Sequence, residues 1–73
     1  MKAQDFLDWM EKADARYAAD IVRHLDCGRN RAQAMKNAAE EGEDVPVNRT
    51  TALAMSAIAA GLPAWGEKGD FDE

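Results

Sequence analysis

The side chains best able to recognise another molecule by charge or by paired hydrogen bonds gather in the middle of this chain. Arg29, Asn30 and Gln33 follow one another closely. Arginine offers two parallel donors to guanine, and asparagine or glutamine offers a donor and an acceptor to adenine, so three such groups at the start of one helix can read base edges. Arg23, Arg31, Lys36 and Arg49 surround them in sequence and suit phosphate oxygens, which position a protein on a duplex without specifying sequence. The remaining chemical inventory is short. His24 and Cys27 are the sole histidine and cysteine, too few ligands for a structural zinc or haem site. Cys27 lacks a placed base to activate it, and His24 reads as an exposed helix residue. With no Gly-rich phosphate loop and no carboxylate pair in an apolar setting, neither an enzyme nor a cofactor is expected.

Charge is distributed unevenly. The chain carries 9 basic and 14 acidic residues, a net charge of −5, which on its own disfavours a polyanion. Residues 16–38, however, hold Arg16, Arg23, Arg29, Arg31 and Lys36 against Asp20 and Asp26, a local charge of +3. The acids concentrate on either side: Asp5, Asp8, Glu11 and Asp14 before this stretch, then Glu40, Glu41, Glu43 and Asp44 after it. A basic stripe between acidic flanks can face phosphate at short range, although long-range steering is weak.

Helical periodicity supplies the elements that must position these groups. Phe6, Trp9, Met10 and Ala13 recur at i, i+3, i+4 and i+7, giving a helix at about 3–12. Ala18, Ile21, Val22 and Leu25 repeat that spacing over about 15–25, with Asp14 as the expected N-cap. Asp26, Cys27 and Gly28 form a tight turn. Ala32, Met35, Ala38 and Ala39 then mark a helix over about 29–40, which Gly42 stops. Glu43–Val47, with Pro46, reads as a loop. A last helix over about 49–60, capped by Asn48 or Thr50, buries Leu53, Ala54, Ala57 and Ile58 and leaves through Gly61 and Pro63. Leu62 and Trp65 are expected to fold back as apolar plugs, and residues 67–73 to form an acidic flexible tail. The fold class is all-α: a small four-helix domain over 1–66 containing a helix-turn-helix.

Two helices joined by a short turn, the second of them basic, match the motif that lays one helix in the DNA major groove. Ile21, Leu25, Cys27, Ala32 and Met35 fall at its inward positions. In residues 25–33, Leu-Asp-Cys-Gly-Arg-Asn-Arg-Ala-Gln, and in Ala59-Ala60-Gly61-Leu62-Pro63-Ala64-Trp65-Gly66 after the last helix, the chain resembles the short lambda-repressor-like helix-turn-helix regulators of phages and prophages. The resemblance spans residues 15–66 and implies a DNA-binding transcriptional regulator. Three positions depart from that pattern: Val22 stands where alanine is usual, Asp26 where a turn glycine is usual, and Gly28 where a Ser or Thr cap is usual.

Size adds a further expectation. A 73-residue chain whose commonest residue is alanine makes a thin core, and a second copy can supply missing burial. The last helix is apolar on more than one side, which points to a homodimer through Leu53, Met55, Ile58, Leu62 and Trp65. Such a dimer would present two reading helices to a double-stranded operator. The competing expectation is an inhibitor or antirepressor of the same fold, whose acidic surfaces bind a basic host, defence or regulatory protein. The unpaired cysteine and the lack of a long apolar run place the chain in the cytoplasm rather than in a membrane.

Overall fold

A computed structural model of the chain describes residues 1–66; the acidic tail expected at 67–73 lies outside the described residues. The fold is all-α, with helices α1 (Ala3–Lys12), α2 (Ala18–Leu25), α3 (Arg29–Glu40) and α4 (Arg49–Ala59) and no strand among the described residues. Both α1 and α2 pack against α3 and against α4, while α3 and α4 do not pack on each other. The first pair of helices thus bridges the second.

Three helices end in the same local lock. After α1, α3 and α4 the next residue but one takes a left-handed conformation: Asp14 (φ 55), Gly42 (φ 76) and Gly61 (φ 75). In each case the following N–H reaches back five residues, Ala15 to Met10, Glu43 to Ala38 and Leu62 to Ala57, at 2.8–2.9 Å. These are Schellman closures, which satisfy carbonyls that a helix end would otherwise leave open. At α1 this corrects the sequence reading. Asp14 terminates the first helix instead of capping the second, because aspartate tolerates the left-handed region as well as it caps. The α2 helix therefore starts at Ala18 rather than at 15. Its cap is Tyr17, and Asp20 Oδ2 accepts the backbone N–H groups of Arg16 and Tyr17, both at 3.1 Å.

The core is Phe6, Trp9, Ala15, Ile21, Ala32, Met35, Ala39, Val45 and Met55. Trp9 is its organising side chain: its indole lies 5.6 Å from Phe6 and edge-on to His24 at 6.1 Å, and its Nε1 donates to the Met55 carbonyl oxygen at 2.9 Å. The loop after α3 contributes Val45, which is fully buried. Its backbone exchanges two bonds with Met1, Val45 N–H to Met1 O at 2.7 Å and Met1 N to Val45 O at 3.0 Å.

The α4 helix is rotated relative to the sequence expectation. Met55 faces the core, whereas Leu53 and Ala54 are exposed and Ala57 and Ile58 are half-buried. An unbranched methionine fills the irregular gap that alanine-rich neighbours leave. Leu62 and Trp65 are not plugs; they are 61% and 87% exposed. The Leu62 N–H is held by the Ala57 carbonyl in the helix closure, and the space beneath α4 is already filled by Met55 and the Trp9 ring.

Candidate nucleic-acid interface

The α2–α3 pair is held by its inward positions. Ile21, Ala32 and Met35 are fully buried, and Leu25, Cys27 and Val22 are half-buried against them. Three residues connect the helices. Asp26 takes the left-handed conformation that glycine would adopt more readily (φ 53, ψ 44), and its N–H donates to Val22 O at 2.8 Å. Gly28 precedes α3 with ordinary extended dihedrals (φ −71, ψ 155), so a residue with a side chain fits there equally well, and nothing lies within 4 Å of where its Cβ would be.

All three candidate base-reading residues, Arg29, Asn30 and Gln33, are exposed. The helical period places Asn30 and Gln33 on the face opposite Ala32, Met35 and Ala39, with Arg29 and Arg31 on its two sides. Asn37 joins that ridge, accepting from Gln33 Nε2 at 2.9 Å through its Oδ1. Its place four residues after Gln33 is the signal in the sequence that could have found it.

The candidate phosphate contacts divide. Arg31 and Arg49, like the candidate base-reading Arg29, make no ion pair among the described residues. Arg31 lines a hollow of about 300 Å³ together with Gly28 in the turn and Thr51 in the first turn of α4. This brings the beginning of α4, where Arg49 stands, beside the beginning of α3. Arg23 pairs with Asp20 but stays largely exposed, and an exposed pair of this kind exchanges at little cost. Lys36 is the most enclosed of them: its side chain is 19% exposed and its Nζ donates to Glu40 Oε2 at 2.6 Å, so its charge already has a partner one helical turn away.

Of the residues expected at a dimer surface, Leu53, Leu62 and Trp65 are exposed, Ile58 is half-buried, and Met55 is 3% exposed within the core and is withdrawn from that surface. The acids after α3 begin at the opposite end of that helix. From Arg29 to Glu40 the axial distance is about 17 Å at 1.5 Å per residue. Asp26 is the acid adjoining the start of α3.

The charges on α3 run against its macrodipole. Arginines stand in its first turn and no acid does; Glu40 closes its last turn and Glu41 is the C-cap. A helix is normally stabilised by the reverse order. No side chain caps α3 either, in contrast to α4, where Asn48 Oδ1 accepts the Thr51 N–H at 2.8 Å.

Among the described residues no group of His, Cys, Asp and Glu could hold a metal ion, and no helix is long and apolar enough to cross a membrane. No family model, curated protein or solved structure matches the chain.

Proposed function

We propose that the chain is a sequence-specific DNA-binding regulator of the phage and prophage type, with α2 and α3 as a helix-turn-helix and α3 as the reading helix. The observation that carries this reading is the outward face of α3. An outward ridge of Asn30, Gln33 and Asn37 is flanked by Arg29 and Arg31, neither ion-paired among the described residues, on a helix start that is uncapped and electrostatically inverted. Local rules are broken where function requires it, and phosphate at this helix start would supply the negative charge that the chain itself omits. Asn30 and Gln33 then read adenine, Arg29 reads guanine or the adjoining phosphate, and Arg31, Arg49 and Arg23 hold the backbone.

Selection from a random duplex library, followed by titration of the winning sequence at two salt concentrations, tests the proposal. A sequence preference should emerge, affinity should fall as salt rises, and Asn30→Ala should flatten the preference at one position. Absence of any enriched sequence, with binding that is weak and indifferent to sequence at low salt, overturns it.

One observation favours a second reading. Asp5 and Asp8 of α1 line, with Lys12, a groove of about 280 Å³ that also includes Trp9 and Met55, and the two carboxylates could pair with a basic protein. Recovery of a basic partner that Asp5→Asn and Asp8→Asn together abolish, with no DNA selected, would establish that reading instead.

A further inference from the structure

We infer that Asn37 is a positioning residue for Gln33: by engaging one of the two amide N–H groups of Gln33, it makes α3 select adenine over guanine at the base that Gln33 meets. The inference rests on the DNA-binding reading above and adds to it the residue that decides which purine is accepted. Gln33 Nε2 donates to Asn37 Oδ1 at 2.9 Å, one helical turn further on, and both side chains are exposed. A glutamine amide has two N–H donors and one carbonyl acceptor. With one donor given to Asn37, one N–H and the carbonyl oxygen remain. In the major groove adenine presents one acceptor, N7, and one donor, the N6 amino group, whereas guanine presents two acceptors, N7 and O6. A free glutamine can turn both N–H groups towards guanine as readily as it offers a donor and an acceptor to adenine. A tied one cannot do so without breaking its bond to Asn37, and its carbonyl oxygen would then face O6 with no proton between them.

Position along the helix separates the two roles. The N-terminal residues of a reading helix are the ones that meet base edges. Asn37 stands four residues beyond Gln33, about 6 Å further along the axis, in the second half of the 12-residue α3. It therefore acts on the base through Gln33. Stability does not account for the asparagine, because a pair of this kind adds little to an exposed helix in water and alanine is the better helix former. Enclosed between α3 and the floor of a groove, the same hydrogen bond is stronger.

Equilibrium titration of four duplexes tests the inference. They carry the sequence selected by the wild-type chain and differ only at the base pair whose preference Gln33→Ala abolishes. The wild type should bind the adenine duplex most tightly. Asn37→Ala should lower the ratio of adenine to guanine affinity at that position by about tenfold, within the range that one bidentate contact discriminates, and leave preferences elsewhere unchanged. Its melting temperature should hold or rise, since alanine replaces an exposed helical asparagine. Asn37→Asp keeps the acceptor, so its overall affinity should fall with the added negative charge while its adenine-to-guanine ratio stays at the wild-type value. Several results overturn the inference and leave the DNA-binding reading standing: a Gln33→Ala chain that keeps every preference, a ratio that Asn37→Ala does not change, four duplexes weakened alike, or a wild type that prefers guanine. A wild type that selects no sequence fails the DNA-binding reading, and the inference with it.

Discussion

The indole of Trp9 on α1 donates to the backbone carbonyl of Met55 on α4 across 46 residues of chain, at 2.9 Å and within the core. The α1 and α4 helices are thereby fixed in register by a directional bond as well as by burial. In a core with few large side chains, this one residue combines an apolar payload with a polar tie.

Trp9→Phe keeps a ring but removes the indole donor to the Met55 carbonyl, which retains its place in the α4 ladder, and leaves a partial cavity. The expected loss is about 2–3 kcal/mol, from the unmade bond and the lost contacts together. Urea titration should show a lower midpoint with an unchanged slope; an unchanged midpoint would remove Trp9 from its organising role.

The turn before α3 can be improved. Asp26 occupies the left-handed region without being glycine, so Asp26→Gly should raise stability by about 0.5–1 kcal/mol, with the gain in native dihedral comfort partly offset by the entropy of the unfolded chain. Asp26→Ala, lacking both advantages, should lower it. Thermal melts of the two variants should move in opposite directions.

Asp20 links stability to pH. Its carboxyl is held below the usual value of 3.8, chiefly by the backbone N–H of Tyr17 and further by that of Arg16 and by the charge of Arg23. A depressed carboxyl contributes its stabilisation in full above the unfolded value and loses it as pH falls through the folded one. Asp20→Ala should therefore melt below the wild type at neutral pH, and the two melting curves should converge as pH drops below about 4. A gap that stays constant down to pH 2 would contradict this assignment.

Lys36 and Arg31 should part company in DNA titrations. Lys36→Ala should leave affinity within about twofold of the wild type, because its charge is already engaged by Glu40. Arg31→Ala should reduce the slope of log affinity against log salt by about 1. Equal effects from both substitutions would argue against the division of the basic residues drawn above.

Much of this architecture is legible in the residues. Ala32, Met35 and Ala39, bounded by Gly28 and Gly42, define α3 to the residue, because periodicity and punctuation agree. The start of α2 was not legible from Asp14 alone, since one side chain serves equally as N-cap and as left-handed terminator; Asp20, reaching back past Tyr17, was the decisive sign. The rotation of α4 was hidden because alanines at 52, 54, 57 and 59 lie on several sides of the helix and leave little contrast to orient it. The engagement of Lys36 was available as an i, i+4 pairing with Glu40. The hollow that Thr51 of α4 shares with Arg31 was not, because it depends on how the loop brings α4 back beside the turn.

The bare, arginine-bearing start of α3 sets a trade-off on the DNA-binding reading. Gly28→Asp would give that helix an acceptor of its own and a sturdier fold, and would place a resident negative charge where a strand's phosphate has to come. Thermal robustness and operator grip are then antagonists at a single position, and selection for one should be visible as erosion of the other.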